Sequence, residues 1–141
     1  MMTVKGLSDL IGISVRALHY YEEIGLFIPA EKSEAGYRFY DEKSLENLIQ
    51  IVFFREFGIP LKKIKDIINS ADYEGRNSLP MQRKALVARK KYMECLISSL
   101  DSILNGITVE TDSIFLNKTK MNEAFQAVYI KLPENIKQII R

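Results

Sequence analysis

Apolar positions along the first half of the chain recur at spacings of three and four, and glycine or proline interrupts them at short intervals. Val4, Leu7, Leu10 and Ile11 form one apolar face of a short helix. Gly12 stops that helix, and Ser14 is a good N-cap for the next one, in which Val15, Leu18 and Ile24 share a side. Arg16, Ala17, His19, Tyr20 and Glu23 are left to point elsewhere, and Gly25 closes the element. Pro29 forbids helix continuation. From Ala30 the pattern changes to turn residues at Ser33–Gly36 and then the alternation Tyr37, Arg38, Phe39, Tyr40, which predicts a two-stranded wing. Phe39 is expected to face the core, with Tyr40 open to either side. Asp41 is a candidate N-cap for a longer helix over 44–57, with Leu45, Leu48, Ile49, Val52, Phe53 and Phe57 as its buried face. Gly58 ends it, Pro60 opens the next helix, and Ile64, Ile67 and Ile68 are that helix's core residues.

A polar linker over 71–77 leads to a helix capped by Ser78, with Pro80 tolerated in its first turn. Leu79, Leu86, Met93 and Leu100 then fall at strict seven-residue intervals. Ile97 and Leu104 fill the intervening core positions toward the C-terminal end, where Arg83 and Lys90 stand earlier. This is a coiled-coil seam, well made at one end and polar at the other. A lone helix cannot bury such a stripe, so a second copy of the chain is the expected partner; the alternative is the chain's own tail. Asn105-Gly106 ends the helix. Residues 107–141 carry two weakly apolar patches, Ile114–Leu116 and Ala124–Leu132, then a break at Pro133 and a short helix with Ile136, Ile139 and Ile140.

The expected fold is therefore mainly α: a winged helix-turn-helix head over 1–75, a dimerisation helix over 76–106 forming a coiled coil, and a short tail over 107–141. In a helix-turn-helix the second helix enters the major groove of duplex DNA. The charge balance gives this only local support. Residues 1–75 hold nine Lys/Arg against twelve Asp/Glu, whereas 76–106 hold six against two. A net-acidic head must bind DNA through where its cations stand, because counterion release depends on the contact surface.

The candidate DNA-reading residues follow from that layout. Arg16, in the first turn of the second helix, can reach guanine edges or phosphate. Ser14, Ala17, His19, Tyr20 and Tyr21 lie beside it; for Tyr21 a core position is at least as well supported. Lys32, Tyr37 and Arg38 on the wing and Lys62 at the start of the fourth helix are candidate phosphate contacts. Backbone N–H groups at the helix starts near Thr3 and Leu61 suit phosphate too. No catalytic constellation stands out: there is no nucleophile motif, no phosphate-cradling glycine loop and no His-Glu metal helix. A single cysteine, Cys95, and a single histidine, His19, argue against a metal site, and no cofactor is expected. A charged fraction of 27%, no apolar run near membrane-span length and no visible signal peptide point to the cytoplasm.

The stretches R-A-L-H-Y-Y-E-E-I-G-L, E-A-G-Y-R-F-Y and L-I-Q-I-V-F-F-R-E-F-G-I-P-L-K-K-I-K-D-I-I resemble MerR-family transcriptional regulators, most of all the drug-responsive TipA/Mta-like branch. The resemblance covers roughly 2–105. It implies a homodimer joined by an antiparallel coiled coil of its dimerisation helices and bound to pseudo-palindromic promoter DNA, an effector that makes the dimer distort that DNA, and indirect action on RNA polymerase. The cysteines of the family's metal and redox sensors are missing, leaving a small organic, apolar effector as the implied class. Two other readings are an architectural protein of excisionase type and an interaction module whose head no longer binds DNA. Neither of these, nor the regulator, is an enzyme.

Overall fold

In a computed structural model, residues 1–70, Tyr73 and 75–130 are described. The order of elements is β1 (Met2–Thr3), α1 (Val4–Ile11), α2 (Val15–Glu23), β2 (Glu31–Lys32), β3 (Arg38–Tyr40), α3 (Glu42–Glu56), α4 (Leu61–Ile68), α5 (Gly75–Leu104) and α6 (Thr111–Ile130). The chain is mainly helical, as the pattern predicts, with a winged helix-turn-helix head and a long helix after it. It divides into two units: the head, Met1–Tyr73, and a second unit holding α5 and α6. No helix among the described residues is long and apolar enough to cross a membrane.

The head is assembled from capped, short helices around a small sheet. Thr3 caps α1 by accepting from the Gly6 N–H at 3.1 Å, and Ser14 caps α2 through the Ala17 N–H at 3.0 Å. Gly12 sits at φ 77°, a left-handed position that lets the chain turn sharply between α1 and α2. Asp41 caps α3 through a reciprocal box with Ser44. The sheet is antiparallel in the order β1-β3-β2, with Met2 opposite Tyr40, Glu31 opposite Phe39 and Lys32 opposite Arg38. The wing therefore has the predicted hairpin, closed by Ser33 and Tyr37 backbones at 2.8 Å, plus a third strand at the N-terminus.

The core of the head is built from Leu7, Leu18, Tyr21, Leu26, Phe27, Tyr40, Leu48, Ile51, Phe53, Phe54, Ile64 and Ile67. It departs from the predicted faces at several points. Tyr40, not Phe39, is the fully buried ring of the wing; it stacks on Phe27 at 5.4 Å, while Phe39 is half-buried. In α3 Ile51 and Phe54 are buried and Ile49 is exposed, because the helix is covered on more than one side. Leu10 is exposed, leaving Leu7 as the buried residue of α1. Tyr73 is tied to α3: its hydroxyl donates to Gln50 Oε1 at 2.6 Å and its ring lies beside Phe54.

In the second unit α5 begins at Gly75, so Ser78 is not its cap. Ser78 lies buried inside the helix, donating to the Gly75 carbonyl at 2.8 Å, and Pro80 stands beyond the first turn. The tail does not form separate patches: Thr111–Ile130 is one helix, folded back along α5. Cys95 meets Ser113 at 3.5 Å, and the Lys118 ammonium lies 5.0 Å from the centre of the Tyr92 ring. Contact with α6 leaves the predicted seam largely uncovered. Leu86 and Met93 are each 40% exposed, Ile97 and Leu100 nearly 60%, and Leu104 82%; Leu79 is half-buried. Leu132 and the short helix expected after Pro133 lie outside the described residues, as does part of the expected linker.

Candidate nucleic-acid interface

Leu18 and Tyr21 turn inward from α2, which forces Arg16, His19, Tyr20 and Glu23 outward on a nine-residue helix. Arg16 and Tyr20 are one turn apart on the exposed side, and Ala17 is half-buried between them. No carboxylate among the described residues pairs with Arg16, so its fork of donors is open to solvent. Thr3 and Ser14 are exposed, but each hydroxyl is engaged as a helix cap. Each of these hydroxyls accepts in its cap and keeps its own proton to donate outward.

Tyr21 is only 3% exposed. Its ring belongs to the core and its hydroxyl accepts from Arg55 Nη1 at 2.7 Å. The residue thus positions an arginine at the end of α3. Arg55 was invisible to sequence reasoning as a candidate, since a basic residue in the last turn of a helix is ordinarily a dipole partner. Only the fold brings it 34 positions back onto α2. Arg55, Arg16, Ala17, Ser14, Tyr20 and Leu61 line a shallow depression of about 450 Å³, with Tyr21 at its floor. An arginine fork, a phenol and the amino end of α4 are donors of the kind that bind a phosphate. Lys62 stands exposed in the first turn of α4, next to this depression.

The wing presents Tyr37, 70% exposed, near its tip. Lys32 and Arg38 are directly opposite on β2 and β3, and both reach back to one carboxylate on α2, Glu22. Lys32 Nζ donates to Oε2 at 3.0 Å, and Arg38 Nε donates to Oε1. The wing residues are expected to clamp the DNA backbone; the wing's two cations, Lys32 and Arg38, also share Glu22 as a counter-ion. Burial by itself would raise the Glu22 pKa, but hydrogen bonds and charge from Arg38 and Lys32 outweigh it and hold the carboxyl below its ordinary value. Burial, and then the Glu22 charge, push the Tyr40 hydroxyl up, so it stays neutral. Among the described residues no group of three or more His, Cys, Asp or Glu is placed to hold a metal ion.

Residues 2–71 match the MerR HTH family regulatory protein. The HTH-type transcriptional activator mta of Bacillus subtilis (strain 168) is 36% identical over 104 residues, covering 74% of this chain and 40% of the relative. The HTH-type transcriptional activator TipA of Streptomyces coelicolor is 32% identical over the same share of this chain and 41% of its own. The chain thus spans about two fifths of the length of these curated relatives. Among solved structures, HTH-type transcriptional regulator SkgA from Caulobacter crescentus superposes with a TM-score of 0.62 at 31% identity, covering 90% of this chain and 99% of that one. The N-terminal part of mta, MtaN of Bacillus subtilis, gives 0.50 at 35% identity, covering 74% and 98%.

Proposed function

Because the chain belongs to the MerR family of helix-turn-helix regulatory proteins, we propose that it is a sequence-specific, non-enzymatic DNA-binding regulator of transcription acting as a homodimer. The observation that carries this reading is the outward row Arg16, His19 and Tyr20 on α2, unobstructed and flanked by the wing and the Arg55 depression. With α2 in the major groove, Arg16 is the base-reading residue, while Tyr20, Arg55, Lys62 and the wing residues Lys32, Tyr37 and Arg38 face phosphates on either side. Thr3, Ser14 and Ala17 contribute backbone and close approach, and Tyr21 holds Arg55.

Dimerisation rests on the α5 seam. Met93, Ile97, Leu100 and Leu104 stay exposed even with α6 folded alongside, and Leu79 and Leu86 continue the same stripe. An apolar row at heptad spacing is a surface for a second antiparallel helix. Two heads held by such a helix pair address a pseudo-palindromic site, and the promoter DNA is distorted rather than merely covered, so that RNA polymerase is affected through DNA shape. A small organic effector shifts that distortion. The groove between α5 and α6 near Cys95, Ser99 and Asn117, about 490 Å³, is lined by hydroxyl and amide groups and by the charged Lys91, Glu94 and Glu110. A ligand seated there is polar, and an apolar one needs surface that a second copy supplies. Promoter DNA as target places the protein in the cytoplasm.

The test is selection of duplexes from a random-sequence pool, followed by gel shift with the wild type and Arg16→Ala. The reading expects an inverted repeat and a loss of affinity in the variant. Enrichment of nothing at low salt would favour the interaction-module reading, which the net-acidic composition of residues 1–75 supports.

A further inference from the structure

We propose that Glu22 is a built-in competitor for the wing's two cations, so that it holds down the affinity of this head for any polyanion, duplex DNA included. The inference deepens the DNA-binding reading and rests on it. Three features of the structure carry it.

Glu22 lies in the last turn of α2, where a carboxylate meets the negative end of the helix and is disfavoured. Its place there is explained by what it touches. Lys32 and Arg38 stand directly opposite across β2 and β3, an arrangement of like charges that costs stability unless neutralised. Glu22 spans both, giving one oxygen to each. The cluster is also only partly closed. The Lys32 side chain is 49% exposed, and Arg38 is held through Nε alone. The Nη donors of Arg38 have no partner among the described residues, so they remain available to an incoming phosphate. A phosphate bound by this pair therefore enters the field of an ionised carboxylate already bonded to the same donors. The depressed pKa of Glu22 keeps that charge in place at neutral pH.

Glu22→Gln is the decisive variant, because glutamine keeps the reach of the side chain and one acceptor oxygen, while it removes the charge and releases one of the two cations from its acceptor. A unit charge roughly 6 Å from a phosphate in water is worth about a threefold change in binding. The variant should bind a random-sequence duplex and the selected operator about threefold more tightly each, with the salt dependence steeper by up to about one phosphate equivalent. It should also elute from a heparin column at higher salt, a readout that needs no operator. The gain should shrink when Glu22→Gln is made in a Lys32→Gln background. That background also serves if the single variant melts below assay temperature, since it removes the facing like charges. Unchanged or weaker binding of duplex and heparin by a folded Glu22→Gln protein would overturn the proposal and leave Glu22 as a purely structural brace. If wild type and variant bind no duplex while the heparin shift appears, the DNA-binding reading fails and the competitor role stands.

Discussion

Replacing Leu100 by glutamate tests the proposed dimer where the structure makes it most vulnerable. Leu100 is on the α5 seam and is 58% exposed in the single chain, so folding of the chain depends little on it. Fully burying a leucine side chain is worth about 2 kcal/mol. The part still exposed, buried against a second copy, then contributes about 1.2 kcal/mol, and the two copies together about 2.3 kcal/mol. Losing that alone weakens the dimer about fifty-fold, and desolvating the new carboxylate weakens it further. Sedimentation equilibrium over a range of concentrations reads the dissociation constant directly. Leu116→Glu is the matched control. Leu116 is 52% exposed on α6, off the heptad row, and its replacement should leave the dimer intact. Circular dichroism should show the helix content of both variants unchanged. An unaltered dimer for Leu100→Glu, or equal disruption by Leu116→Glu, would refute the assignment of the seam.

Other consequences are independent of the dimer. Arg16→Ala should cost about 1–3 kcal/mol of operator binding and relax sequence preference at one base position, with thermal stability unchanged; a parallel fall in stability would recast Arg16 as structural. Tyr40→Phe removes a fully buried hydroxyl that has no hydrogen-bond partner among the described residues. It should stabilise the head by about 1 kcal/mol in urea denaturation, whereas a loss of similar size would mean that the hydroxyl is bonded. Acid should weaken the head. Hydrogen bonds from the Ser44 backbone and then its side chain hold Asp41 below its ordinary 3.8, and Glu22 lies below its ordinary 4.5. Because both folded values are depressed, their stabilisation is complete above those ordinary values and drains away as pH falls through the folded ones. Urea midpoints should therefore hold steady near neutrality and drop as pH falls below the ordinary carboxylate values, and Asp41→Asn should flatten part of that drop. A midpoint insensitive to acid would contradict both assignments.

The head was legible in the sequence because its signals are local. Caps at Ser14 and Asp41, the left-handed turn at Gly12 and the turn at Ser33–Gly36 each act within a few residues. What the sequence left open was long-range. Alternation in Tyr37–Tyr40 defines two faces of a strand, and assigning Phe39 to the inner one on its apolar ring alone gives the wrong face. Phe27, arriving from the loop after α2, decides it by stacking on Tyr40. Strand β1 is two residues long and has no periodicity of its own; its partner lies at the far end of the wing. Arg55 joins α2 only through Tyr21. Glu22 could be read as a surface charge until the wing folded over it.

The tail holds a different lesson. Ile114, Met121 and Val128 are spaced by seven along α6; Ile114 is half-buried, and Met121 and Val128 are buried. The exposed Phe115 and Leu116 interrupt this period with a contiguous apolar run, which masks the stripe in the sequence. The same folding-back leaves the α5 heptads free. That is why a tail packed on α5 and a second copy on the seam are compatible, although they had stood as alternatives.

The most direct test of the account is a nuclease footprint of the purified protein on the DNA upstream of its own gene, taken at low and at moderate salt. The expected result is one compact, two-fold symmetric footprint between promoter elements, weaker at higher salt and shifted to higher protein concentration by Arg16→Ala. Uniform, unprotected cleavage at low salt, on this DNA and on duplexes selected from a random pool, would contradict it.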